Sequence, residues 1–263
     1  MASIIVPDYE VKALLKPSEV LKSNNKLKDE VSSAFSIEPG TKKMKIQFLD
    51  TKQQHIYEKG WNLRIRKLED DDEFELTYKK RYLVGDGYSS NTEGNIKAAS
   101  KTAEQDGFDS TTNYEAQVEL GYKKQTLSIS RDEDVDTDPE GMNLPPVEES
   151  RKLLIKKAPK KFKNWSRDNW GTDHLADSIV YGPVDAKRTE GTWEGFGVFV
   201  EVWFIKKSKT DASLEPIVEV SFKTPDLKKA LEGHVKLVEY LQNKGWLLPE
   251  DSFRTRLILE RYG

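Results

Sequence analysis

The sequence contains no cysteine, which excludes disulfides, thiolate nucleophiles and Cys-ligated zinc and is compatible with a reducing compartment. It also lacks an excess of either charge: charged residues make up 33% of the chain but sum to a formal −3. Nothing in the whole-chain field therefore argues for nucleic acid or an anionic membrane surface. No segment approaches the ~18 apolar residues of a membrane helix. The opening "MASIIVPDYEVKALL" (1–15) has neither the basic start nor the continuous apolar run of a signal peptide. The expectation is a cytoplasmic protein without membrane or nucleic-acid partners. No G-x-x-x-x-G-K-[ST] loop is present, so phosphate, if bound, must be held by side chains. His55, His174 and His234 are scattered without ligand spacing, and there is no Ser-His-Asp signal.

What the sequence has in abundance is alternation. Segments 8–15, 42–50, 62–68, 73–83, 113–120, 125–131, 178–193, 197–207, 217–223 and 255–262 read as strands. Helical spacing appears over 17–35, 146–162 and 224–246, the last with Thr224 as N-cap candidate and Pro225 in its first turn. Stretches 84–112 and 132–145, rich in Gly, Asp, Ser and Thr, read as long loops. With 36% hydrophobic residues over 263 positions and no linker-like shift in composition, one domain over 1–263 is expected.

Residues two apart in a strand share a face. One face collects Asp8, Glu10, Lys12, then Asn62, Arg64, Arg66, then Glu75, Thr77, Lys79, Arg81, then Glu115, Gln117, Glu119, and later Arg188 and Glu219, Ser221, Lys223. The opposite faces are mostly apolar. The five consecutive acids Glu69 to Glu73 fall between two such strands and read as a solvated hairpin turn. A single strand of this kind suits a sandwich with its charged face in water. Recurrence on strand after strand suits a closed barrel with a polar lumen and outer helices, able to bind a polyanion.

The residues carry a resemblance. "DYEVK" (8–12) is similar to the E-x-E-x-K signature of the CYTH domain, the triphosphate tunnel metalloenzymes, with Asp8 in the first acidic slot. "IQFLDT" (46–51), "YEKGWNLRIRK" (57–67) and "LTYKKR" (76–81) resemble its next motifs, and "NYEAQVEL", "DAKRTEGTW", "GVFVEVWF" and "IVEVSFK" fall in the order of its later strands.

The resemblance implies an α+β, mainly β fold: a closed eight-stranded antiparallel tunnel with outer helices. It also implies Mg²⁺ or Mn²⁺ and a small tri- or diphosphate substrate. Lys12, Arg64, Arg66, Lys79 and Arg188, with Arg81 nearer the rim, would grip phosphate oxygens through charge-assisted hydrogen bonds. Asp8, Glu10 and Glu219 would be metal ligands, oxygen donors suited to a hard ion. Glu10 and Lys12 are the catalytic candidates, and Glu115 and Glu119 serve either metal or charge balance. The family's last E-x-E is broken, because Ser221 follows Glu219. Glu201 shares a face with Phe199 and Trp203, which either brings aromatic surface into the lumen or, one residue out of register, leaves Trp203 as core packing. Three functions follow: phosphoanhydride hydrolysis, departure of diphosphate from an organic substrate in a lyase or cyclase, or non-catalytic polyphosphate or nucleotide binding.

Overall fold

The computed structural model describes residues 5–136, 141–251 and 254–263. The first residues of the N-terminal segment and part of the 132–145 stretch lie outside the described residues. The strands are β1 (Asp8–Leu15), β2 (Lys42–Asp50), β3 (Trp61–Leu68), β4 (Glu73–Asp86), β5 (Glu115–Leu120), β6 (Lys124–Asp136), β7 (Ile179–Trp193), β8 (Phe196–Lys206), β9 (Leu214–Thr224) and β10 (Leu247–Leu248). The helices are α1 (Pro17–Val20), α2 (Asp29–Ala34), α3 (His55–Glu58), α4 (Thr92–Gln105), α5 (Val147–Lys157), α6 (Lys160–Lys163), α7 (Trp170–Ala176), α8 (Leu227–Asn243) and α9 (Arg254–Tyr262).

The sheet runs β10-β1-β5-β6-β4-β3-β2-β7-β8-β9, and β9 returns to pair with β1. Nine strands therefore form a closed ring, with β10 added at the end of β1 through Leu14 and Leu15. This corrects the expected eight antiparallel strands. Alternating strand direction closes a ring only when the strand number is even, so a ring of nine needs a parallel joint. Here β1 and β5 supply it, pairing in parallel from Asp8–Gln117 to Val11–Leu120. The remaining ring joints are antiparallel.

Two expectations about elements are also overturned. Segment 255–262 is not a strand but most of α9, and the supposed loop 84–112 contains α4. The helical stretch 17–35 is two short helices joined through a Leu21–Leu27 bridge. In the long C-terminal helix α8, Asp226 rather than Thr224 is the N-cap, its side chain accepting from the Lys229 N–H at 3.0 Å. The acidic run does form a turn, between β3 and β4.

The apolar faces build two cores. The larger lies outside the ring: Val11, Ala13, Leu63, Ile65, Leu76, Tyr78, Val118, Val220 and Phe222 are buried with residues of the covering helices, including Ile96, Leu154, Phe162, Ala230 and Leu237. The second contains Met44, Ile46, Phe48, Tyr181, Val184, Ala186, Trp203 and Ile205 from β2, β7 and β8, closed by Ile258 and Leu259 of α9. Ile46 and Phe48 stand opposite Arg66 and Arg64 in register, so this core shares the inner face with the cations. One arc of the interior is thus apolar and filled by the C-terminal helix. Among the described residues, no helix is long and apolar enough to cross a membrane.

Candidate functional site

A cavity of about 930 Å³ runs through the ring and gathers the charged face read from the sequence. Asp8, Glu10, Lys12, Arg64, Arg66, Lys79, Arg81, Glu115, Glu119, Arg188, Glu201, Trp203, Glu219 and Ser221 all line it. Strand pleating explains this convergence: each strand turns alternate side chains inward, and the outer core fixes which set that is.

The cations are held in place by carboxylates. Arg64 Nη2 donates to Glu75 Oε1 at 2.6 Å and to Thr77 Oγ1 at 2.8 Å, and Arg66 pairs with the other Glu75 oxygen. The Nε of both arginines has no protein partner. Burial and the adjacent Arg66 lower the Arg64 pKa, whereas Glu75 is held below its usual range by Arg64 and Arg66 despite its burial. Glu119 is the second hub. Lys12 pairs with it, the Ser128 hydroxyl donates to it at 2.7 Å, and Lys79 and Arg81 stand 3.7 and 3.9 Å away. Burial would raise the Glu119 pKa, but Lys12, Arg81 and Lys79 hold it well below the carboxylate range. Lys12 is raised, because Glu119, Glu219 and Glu10 outweigh its desolvation. Lys79 is pushed down to about 8 by burial, with Arg81 and Arg64 adding to the effect against Glu119. Glu119 is thus the carboxylate beside which three cations of the cavity wall gather.

The expected metal ligands are arranged less tightly. Among the described residues, no group of three or more His, Asp or Glu side chains could hold a metal ion. Asp8 is exposed. Glu10 faces Lys223 across the β1–β9 pair, while Glu219 faces Leu14, four residues further along β1. Two observations still suit a hard cation near these oxygens. The Glu10 pKa is raised by burial and by the neighbouring Glu119 and Glu219 carboxylates, against Lys12 and Lys223. Glu219 is 3% exposed, and its Oε2 has no partner. Ser221 is buried on the cavity wall opposite Lys12, and Glu115 is exposed at the edge of the cavity.

The β8 register places Phe199, Glu201 and Trp203 on the cavity wall, so aromatic surface does enter the lumen. Trp203 Nε1 donates to Glu201 Oε2 at 2.9 Å. Arg188 donates twice to Glu201 Oε1, at 2.8 and 2.7 Å, with its guanidinium 5.0 Å from the Phe199 ring centre. Opposite lies a residue that the sequence reading missed. Arg254, at the start of α9, donates to Glu201 Oε2 at 2.5 Å and sits 2.8 Å from Glu219 Oε1. The available signal was Arg256 and Glu260, an i,i+4 pair at 2.7 Å that fits a helix better than a strand. Glu75, seen in the sequence only as part of a charged face, is the partner of both arginines.

The histidines have structural surroundings. His55 Nδ1 lies 3.0 Å from Thr51 Oγ1, His174 packs against His55 and Trp170, and His234 Nε2 lies 2.8 Å from the Gly121 carbonyl. Asp50 of "IQFLDT" likewise has a local task, accepting from the Ile56 and Tyr57 N–H groups at 3.0 and 2.8 Å to fix the start of α3.

No family model matches the sequence, and no curated protein matches it either. Solved structures do match in fold. The Hippeastrum protein HpAC1, described as an adenylyl cyclase candidate with a dominant triphosphatase activity, aligns over 95% of this chain and 93% of its own, at 14% identity and a TM-score of 0.53. An adenylate cyclase candidate from Bacillus halodurans aligns over 97% of both chains, at 13% identity and a TM-score of 0.50. At these identities the likeness concerns the fold alone: this chain is a closed β-barrel with outer helices, similar in fold to these two proteins, and its interior is basic and rich in ion pairs.

Proposed function

We propose that the tunnel binds a small tri- or diphosphate and hydrolyses its phosphoanhydride bond. The observation that carries this reading is the convergence of Lys12, Arg64, Arg66, Lys79, Arg81 and Arg188 on one cavity. The two guanidinium forks clamped by Glu75 are fixed before substrate arrives, so binding does not have to order them. Lys79 and Arg81, only loosely paired with Glu119, are free to turn toward an incoming phosphate. Together they would neutralise charge that grows on the departing phosphate oxygens.

Glu10 and Glu219, with Asp8 at the rim, are the oxygen donors that would hold Mg²⁺ or Mn²⁺, which would supply neutralisation of phosphate charge. Glu10 is also the catalytic candidate in this proposal: a carboxylate on the cavity wall that would accept the proton of an attacking water.

A second reading rests on Phe48, Phe199 and Trp203 in the cavity wall: departure of diphosphate from an organic substrate, as in a lyase or cyclase, with the rings packing against the organic part.

Product analysis separates these readings. The protein is incubated with Mg²⁺ and, in turn, tripolyphosphate, nucleoside triphosphates, thiamine triphosphate and prenyl diphosphates. Release of inorganic phosphate from a triphosphate is expected, and Glu10→Gln should lower it by at least about tenfold, at the low end of the contribution of a general base, while leaving the circular dichroism unchanged. Diphosphate together with an organic-extractable product would favour the second reading. Binding without any product would leave a polyphosphate binder.

A further inference from the structure

Glu201 and Glu219 are directly opposite each other on β8 and β9, and both are buried, at 7% and 3% exposure. Cross-strand neighbours lie about 4.5–5.5 Å apart at Cβ, so two ionised carboxylates here repel strongly unless a cation lies between them. In this chain the cation is a guanidinium. Arg254 reaches Glu201 Oε2 and Glu219 Oε1 with different nitrogens, and its guanidinium carbon stands 4.4 Å from the Trp203 ring centre. The other Glu201 oxygen is held by Arg188, whereas Glu219 Oε2 has no partner.

The side chain is fixed from behind. Ile258 and Leu259 anchor α9 in the inner core, Arg261 pairs with Glu215 at 2.6 Å and donates to the Lys206 carbonyl at 2.7 Å, and the Tyr262 hydroxyl accepts from the Lys206 N–H at 3.1 Å. Although burial opposes ionisation, Arg254 and Arg188 hold Glu201 well below its usual pKa, and Glu219 and Glu201 raise that of Arg254.

We infer that Arg254 is a resident cation standing where a second divalent ion would bridge Glu201 and Glu219, and that removing it opens a latent Mn²⁺ or Mg²⁺ site at these carboxylates. This deepens the phosphate-tunnel reading, and only its catalytic consequence rests on that reading. A guanidinium supplies positive charge and fixed donors to a phosphate, but it does not lower the pKa of a bound water as a metal ion does. In the parent tunnel Glu10 and the unpartnered oxygen of Glu219 would remain as donors to an ion. Ser221, a neutral hydroxyl, and Arg254, seated between two carboxylates, would then act in the same direction, each leaving fewer carboxylate oxygens for a metal ion.

The test is a Mn²⁺ titration followed by electron paramagnetic resonance, without phosphate, on the parent, Arg254→Gln, Arg254→Met and the double variant Arg254→Gln/Glu219→Gln. Methionine keeps apolar packing over Trp203 while removing the charge. Both single variants are expected to gain one Mn²⁺ site, or to bind at least tenfold more tightly than the parent, and the double variant to lose that gain. Folded single variants that bind Mn²⁺ as the parent does would overturn the inference. If neither folds alone, Mn²⁺ is added during refolding: recovery of the parent circular dichroism supports the latent site, and no recovery overturns it. Because phosphate is absent from the titration, failure here leaves the hydrolysis assay unaffected, and failure of that assay leaves this result standing.

Discussion

Replacing Arg64 and Arg66 together by glutamine is expected to weaken tripolyphosphate binding by about 10²–10⁴-fold. Each guanidinium offers the cavity donors that Glu75 leaves over, including an Nε without a protein partner. A hydrogen bond to a charged group contributes about 1.5–3 kcal/mol. Two such losses amount to about 3–6 kcal/mol, and about 1.4 kcal/mol corresponds to tenfold in Kd. The variant also frees Glu75, whose carboxylate then repels the anion. Glutamine keeps an amide donor for Glu75, so the fold should survive with the strand pair intact. Calorimetric titration with tripolyphosphate reads the effect. A Kd within threefold of the parent would mean that these arginines stabilise the β3–β4 hairpin and do not hold phosphate.

Lys12→Met should produce the largest loss of stability among single changes in the tunnel. Lys12 and Glu119 are a buried pair, with side chains 13% and 8% exposed, and removing one partner of such a pair costs about 3–5 kcal/mol. The lower end is expected, because Ser128, Lys79 and Arg81 remain beside Glu119. The sign of the pH dependence follows from Glu119. Its folded pKa is depressed, so its contribution is present above the unfolded carboxylate pKa and disappears as pH falls through the folded value. Without Lys12 the carboxylate can escape its isolation by taking up a proton. The stability gap between variant and parent should therefore be wide at pH 7 and narrower near pH 4, as read by urea unfolding. A gap that is absent at pH 7, or that widens toward pH 4, would show that Glu119 does not depend on Lys12.

The tunnel wall was legible because pleating translates directly into a sequence period of two. Arg64, Arg66, Lys79 and Glu119 each fall on the charged face of their strand by that period alone, whichever strand neighbours which. Strand count and closure were not legible by the same route: alternation shows which way a side chain points but not its partner across the ladder, so the parallel β1–β5 joint left no mark in either segment. Helix α4 was missed because its buried positions are Thr92, Ile96, Ala99, Ser100 and Ala103. Their spacing is helical, but small and polar residues give it little hydrophobic contrast. In α9 the sequence "TRLILERY" alternates well enough to imitate a strand, and only the Arg256–Glu260 spacing argued otherwise. Missing that helix also hid Arg254, since no pattern within ten residues says that an arginine will turn back to meet carboxylates from β8 and β9.

The most direct test of a phosphate-binding tunnel is a crystal structure with a non-hydrolysable tripolyphosphate analogue. The account predicts phosphate oxygens within about 3 Å of the side-chain nitrogens of Arg64, Arg66, Lys12 and Lys79. Phosphate seated instead in the groove beside Arg131, Lys160 and Lys161, with the tunnel side chains unchanged and no anion among them, would contradict it.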